Sequence, residues 1–203
     1  MKKILLHACC GPCSTHCVAT LRDAGYEPTL FYSNSNIMPQ AEYDVRLDSL
    51  RRFAQIANVA LVEDVHDNAR WLACIKGLEN EPEKGARCRL CYGFNLRRAA
   101  AFALENAFAE FTTTLTVSPH KPSPLVFAAG DAAAAETTGL FKPTFRHFDF
   151  KKKDGFLDSV RLAKEYGLYR QSYCGCLLSQ KMSQKIFRSG FSLSGVCGRL
   201  QGN

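Results

Sequence analysis

Short apolar runs alternate along the chain with longer stretches in which apolar residues recur every three or four positions. Ile4-Leu5-Leu6 is continuous and apolar, the pattern of a strand covered on both faces, and predicts a buried strand over 2–8. A helix should follow to about Gly25, with Ser14 or Thr15 as its N-cap and Gly25 as its C-cap. Glu27 to Asn34 reads as a second strand, closed by the polar run Ser33-Asn34-Ser35-Asn36. Pro39 suits the opening of a helix. Tyr43, Leu47, Leu50, Ala54 and Ala57 then fall on one helical face. Val59 to Glu63 predicts a third strand, and Asn68 to Leu78 a helix carrying Trp71.

After a polar loop over Glu79–Gly85, an alanine-rich helix should run to about Ala107. The β-branched stretch Phe111–Val117 predicts a fourth strand. Leu125–Thr138 reads as a helix, Thr144–Phe148 as a fifth strand, Phe156–Tyr166 as a helix and Leu178–Arg188 as a last helix. From Ser189 the composition turns to Ser and Gly, so 191–203 should be a flexible tail. Strands alternating with helices imply an α/β protein: a mostly parallel sheet with helices on both faces and a C-terminal helical extension, one domain over 1–190.

Composition narrows the class. The chain is 46% apolar, enough for a packed core, yet its apolar runs are too short to span a bilayer. Met1-Lys2-Lys3 before the first apolar run faintly imitates a signal peptide, but the run is short and His7 interrupts it. A cytoplasmic protein is expected. The formal charge is +7, and after Glu165 only Arg170, Lys181, Lys185, Arg188 and Arg199 carry charge. A base-signed terminus fits a polyanionic partner, or a solvated helix equally well. Tyr169-Arg170-Gln171-Ser172-Tyr173 mixes aromatic and cationic groups, which suits stacking on nucleobases, although either tyrosine could serve the core.

Cysteine changes the picture most. Ten are present, and seven cluster: Cys9, Cys10 and Cys13; Cys88-x-x-Cys91; and Cys174-x-Cys176. The first group falls at a strand-to-helix turn and the second at a helix start, positions where open α/β sheets carry chemistry. In a cytosolic chain, clustered thiols mean metal or redox chemistry rather than a disulfide framework. Seven exceed what one four-coordinate metal needs, so a shared site would hold more than one metal centre, or a cluster beside a reactive thiol. Cys17, Cys74 and Cys197 read as buried apolar residues. His7 could orient the thiols through a hydrogen bond, and Ser118-Pro119-His120-Lys121 brings a hydroxyl, an imidazole and an amine to a strand end. Cys10-Gly11-Pro12-Cys13 also spells a thioredoxin-type motif, but no tryptophan precedes it and the other thiols would go unused. A zinc-stabilised RNA-binding module remains open. An ATP-dependent tRNA-thiolating enzyme should show a phosphate loop, and Gly11 is the only glycine at the first turn.

With these residues in view, the chain resembles the QueH family of epoxyqueuosine reductases. The resemblance rests on His7–Cys13, Phe31–Ile37, Cys88-Arg89-Leu90-Cys91-Tyr92, Thr112–Lys121, Asp149–Gly155 and Tyr166–Cys176, in order. It implies a Rossmann-like fold of the HUP type, a [4Fe–4S] cluster with an adjacent mononuclear iron ion, and reduction of the epoxide at the tRNA wobble base without cobalamin. On that resemblance Cys10, Cys88, Cys91 and Cys176 hold the cluster and Cys9, Cys13 and Cys174 serve the second iron. Relatives often carry aspartate at the position of Cys13, a change of ligand charge and softness. His120, Lys121 or Asp154 would supply a proton, and Tyr169, Arg170, Lys181 and Lys185 would grip the tRNA. A ferredoxin or flavodoxin would supply electrons.

Overall fold

The computed structural model describes residues 1–139 and 141–179. Five parallel strands form one sheet in the order β3-β2-β1-β4-β5: β1 Lys2–His7, β2 Tyr26–Tyr32, β3 Ala60–Glu63, β4 Glu110–Thr113 and β5 Thr144–Phe145. The helices are α1 Gly11–Asp23, α2 Gln40–Ile56, α3 Asn68–Cys74, α4 Ala86–Glu105, α5 Ser123–Glu136 and α6 Gly155–Glu165. The α/β, Rossmann-like expectation holds. None of the described helices is long and apolar enough to cross a membrane.

The Ile4-Leu5-Leu6 run is buried because both faces of its strand are covered. Ile4 and Leu6 point into a layer with Val18 and Leu21 of α1, Leu50 and Phe53 of α2 and Ala163 of α6. Leu5 points the other way, with Phe31 and Phe111, onto Leu96, Ala99 and Ala103 of α4 and Val126 of α5. The chain builds outward from β1 to β3, then crosses back to place β4 on the other side of β1. Connections therefore diverge at the carboxyl ends of β1 and β4, where His7 pairs with Thr113. Such a reversal opens a crevice, the usual ligand position in a sheet of this kind.

Several boundaries differ from the sequence expectation. Helix α1 starts at Gly11, with Cys10 rather than Ser14 or Thr15 as N-cap. The fourth strand ends at Thr113, whose hydroxyl accepts from Leu115 N (3.2 Å) and turns Thr114–Val117 into a 3-10 helix. With β4 cut short, β5 has little to pair with and covers only Thr144–Phe145. Helix α3 stops at Cys74, before Gly77 at φ +87°. Cys17 is buried as expected, but Cys74 is exposed. Cys197, the tail and all but the first residues of the Leu178–Arg188 helix lie outside the described residues.

Helix α6 enters at a close approach. A Cβ on Gly155 would collide with the Phe150 carbonyl oxygen and meet the His16 ring of α1 at 2.5 Å. A backbone contact has no rotamer to yield. Gly155→Ala should lower unfolding free energy by about 1–3 kcal/mol in chemical denaturation; an unchanged midpoint would mean that α6 is not seated against α1 in this way.

Candidate metal centre

The first thiol group is organised by a helix cap. Cys10 has extended backbone (φ −175°), and its thiol accepts from Cys13 N at 3.4 Å. Ser14 Oγ donates to the Cys10 carbonyl at 2.9 Å, closing the turn. The sulfurs of Cys9, Cys10 and Cys13 consequently lie within 4.8 Å of one another, a group that could hold a metal ion. Thr114 orients the outermost thiol: its hydroxyl accepts from Cys9 N at 3.1 Å and donates to Cys9 Sγ at 3.3 Å. The early end of β4 thus puts Thr114 where a thiol needs a donor.

His7 does not orient the thiols. Its ring bonds Thr113 Oγ1 at 2.9 Å and the Ser33 carbonyl at 3.1 Å. Nε2–H must donate to the carbonyl, so Nδ1 accepts from the Thr113 hydroxyl, which in turn accepts from Leu115 N. Burial holds the ring below its ordinary pKa, which keeps it neutral in this role. It is a clamp across the ends of three strands.

The second group sits in the first turns of α4. Buried Arg87 donates to the carbonyls of Leu78, Glu79 and Glu81 at 3.4, 2.9 and 2.7 Å, gathering the preceding loop around one cation. The Glu81 carboxylate accepts from Ala86 N at 3.0 Å, satisfying a free amide at the helix start. Cys88 Sγ accepts from Lys84 N at 3.3 Å.

The third group rides on a strap, residues 168–176, tied to α2. Arg46 is 1% exposed. It donates to Glu42 Oε1 (2.7 Å), the Cys174 carbonyl (3.2 Å) and the Tyr173 carbonyl (3.0 Å), and lies over the Tyr173 ring. Tyr173 OH donates to the Met38 carbonyl (2.7 Å), and Met38 N donates to the Gly175 carbonyl (2.8 Å). Gly175, at φ +112°, fits where a side chain would press on Arg46 and Ile37. Gln171 Nε2 completes the closure on Cys10 Sγ at 3.3 Å.

These elements enclose a cavity of about 390 Å³ lined by Cys9, Cys13, Cys88, Cys91, Cys174 and Cys176, with Cys10 buried beside them. The structure therefore brings the three sequence clusters together. His120, Lys121 and Arg170 also line the cavity; Asp154 does not, and stands exposed before α6. Tyr169 is 39% exposed and donates to Glu42 Oε2 at 2.8 Å, so it helps anchor the strap. Lys181 and Lys185 lie outside the described residues. Sequence reasoning missed Arg46, Arg87, Thr114 and Asn95, although Arg46 stands three residues after Tyr43 and four before Leu50, on the buried stripe of α2.

Burial pushes the Cys91 and Cys88 thiols up and Cys10 up to about 12. Hydrogen bonds from the Cys10 and Cys13 thiols hold Cys9 well below the ordinary thiol range. Burial opposes charge on Lys121, yet the facing sulfurs of Cys174, Cys9 and Cys13 outweigh it and raise its pKa. The cavity thus pairs sulfur donors with one enclosed ammonium. Most of these sulfurs are protonated without a metal, so loading one releases protons.

A family model described as Epoxyqueuosine reductase QueH matches residues 4–182. The chain is 36% identical over 177 residues to the epoxyqueuosine reductase QueH of Acinetobacter baylyi, covering 87% of this chain and 80% of that protein. It is 37% identical over 185 residues to that of Streptococcus pyogenes (88% and 71% covered), and 33% identical over 182 residues to that of Thermotoga maritima (88% and 91% covered).

Removing the Arg46 cation would leave Glu42 Oε1 and two strap carbonyls without that donor. Arg46→Ala should cost about 3 kcal/mol of stability, the scale for breaking a buried pair. Amide hydrogen exchange over 169–176 should accelerate more than exchange in β1. Uniform acceleration of the two regions would contradict the strap.

Proposed function

The chain belongs to the epoxyqueuosine reductase QueH family, and we propose on that premise that it reduces the epoxide of epoxyqueuosine in tRNA to the alkene of queuosine, without cobalamin. The observation that carries the reading is the cavity lined by six thiols from three segments, with a seventh beside it. A donor set made of sulfur suits iron and iron–sulfur ligation. Among the described residues every cysteine is free, so none of these thiols is spent on a disulfide.

In this reading Cys10, Cys88, Cys91 and Cys176 hold a [4Fe–4S] cluster, and Cys9, Cys13 and Cys174 serve an adjacent iron ion. Cys10, within 4.8 Å of both Cys9 and Cys13, stands at the junction of the two sets. When bound, such a centre supplies electrons singly and Lewis acidity toward oxygen. Conversion of the epoxide to an alkene takes two electrons and two protons and releases the oxygen as water. Lys121 Nζ holds a proton inside the cavity, and its charge offsets negative charge developing on that oxygen. His120, on the exposed rim, is placed to return the proton from solvent. Asp154, outside the lining, takes no part.

The Arg170 guanidinium packs 5.7 Å over the Phe156 ring at the cavity edge, an aromatic and cationic surface suited to an anticodon loop. Lys181 and Lys185 would extend it through phosphate contacts. The electron donor is a small carrier of the ferredoxin or flavodoxin type. A tRNA substrate sets the work in the cytoplasm.

Cys88→Ala, purified anaerobically, should be colourless, lack acid-labile sulfide and fail to convert epoxyqueuosine in tRNA. A variant retaining full iron, sulfide and turnover would overturn the ligand assignment. Wild-type protein that turns over after complete removal of iron would favour a thiol–disulfide oxidoreductase instead.

A further inference from the structure

Beside the thiols lies a polar pair that the proposed chemistry does not use. Asn36 closes the segment after β2 and is 7% exposed; Asn95 lies on α4, one turn past Cys91, and is 4% exposed. Asn95 Nδ2 donates to Asn36 Oδ1 at 3.0 Å and to the Cys91 carbonyl at 3.1 Å. These contacts orient both amides. Turning Asn95 over would set its oxygen against the Cys91 carbonyl, and turning Asn36 over would set two NH2 groups face to face. Asn36 Nδ2 and Asn95 Oδ1 are what remain. Neither has a hydrogen-bond partner among the described residues, and both side chains line the cavity. Both atoms open onto the cavity, where a polar group of a ligand can reach them.

We infer that this amide pair is the subsite for two neighbouring hydroxyls on the ring that carries the epoxide. Asn36 Nδ2 donates to one hydroxyl oxygen, and Asn95 Oδ1 accepts from the hydroxyl beside it. Vicinal hydroxyls match one donor and one acceptor held side by side, because each hydroxyl can play either part. The location fits as well. Asn95 Nδ2 lies 3.6 Å from Cys91 Sγ, so a ring gripped here stands against the thiol set. Neutral amides suit that neighbourhood: a carboxylate would be repelled by thiolates, and a second ammonium would compete for them. The subsite rests on the reductase reading and adds to it a means of telling the ring from the base.

The test compares two inhibitors of the metal-loaded enzyme: tRNA bearing queuosine, and the same tRNA bearing 7-aminomethyl-7-deazaguanine, which lacks the hydroxylated ring. Both share every phosphate contact. Wild-type enzyme should bind the first about tenfold more tightly, the scale of one or two hydrogen bonds to enclosed partners. Asn36→Ala removes the donor without adding charge, and Asn95 Nδ2 keeps the Cys91 carbonyl at 3.1 Å. In that variant the ratio should fall at least about threefold, the scale of one lost hydrogen bond, with iron content equal to wild type. A wild-type ratio of one, or an unchanged ratio in Asn36→Ala, overturns the subsite while leaving the reductase reading in place. Wild-type enzyme that converts no epoxyqueuosine overturns the reading and the subsite together.

Discussion

A buried guanidinium stands at the centre of the bonds that hold the third thiol group in the candidate site. Cys9 and Cys174 are far apart in the chain, and the sheet alone brings only the first thiol group and the start of α4 to the same edge. The strap bearing Cys174 and Cys176 buries Leu168 at its start and Cys176 at its end, and the stretch between them is mostly polar. Arg46 ties that stretch down, bonding Glu42 and two strap carbonyls at once. A lysine has no planar fork and could not satisfy all three in fixed directions. Arg87 repeats the device for the loop before α4, gathering three carbonyls around one cation. Irregular backbone near the thiols is therefore held by charge-assisted hydrogen bonds, and regular backbone by apolar burial.

The division explains what could be read in the sequence. Apolar burial leaves a periodic trace, so Ile4-Leu5-Leu6, the Tyr43–Ala57 stripe and the alternation of strands and helices were legible. The clustering of cysteines was legible too, since thiol spacing is local. Helix and strand ends were not. Thr112-Thr113-Thr114 has strand-forming composition, yet one hydroxyl bond from Thr113 to Leu115 N converts the run into a tight turn. That turn matters, because it delivers Thr114 to Cys9.

The polar groups that shape the cavity were the least legible. Arg46 and Asn95 read as solvated positions by residue type alone, and only their register on α2 and α4 marks them as inward-facing. Arg46 falls between Tyr43 and Leu50, and Asn95 between Cys91 and Ala99, each at helical spacing. Conversely, Asp154 looked useful from its place beside a lysine run, and the structure puts it outside the cavity. His7, beside the thiols in sequence, faces Thr113 and Ser33 instead. Adjacency along the chain is a weak guide wherever a strand end directs successive side chains to opposite faces.

Sulfur ligands from three segments are proposed to meet around iron. Iron and acid-labile sulfide analysis of wild-type protein isolated without oxygen tests this most directly. About five irons and about four sulfides per chain are expected for a [4Fe–4S] cluster with one further iron. Stoichiometric zinc with no sulfide would contradict it and leave a protein whose thiols serve only to hold its shape.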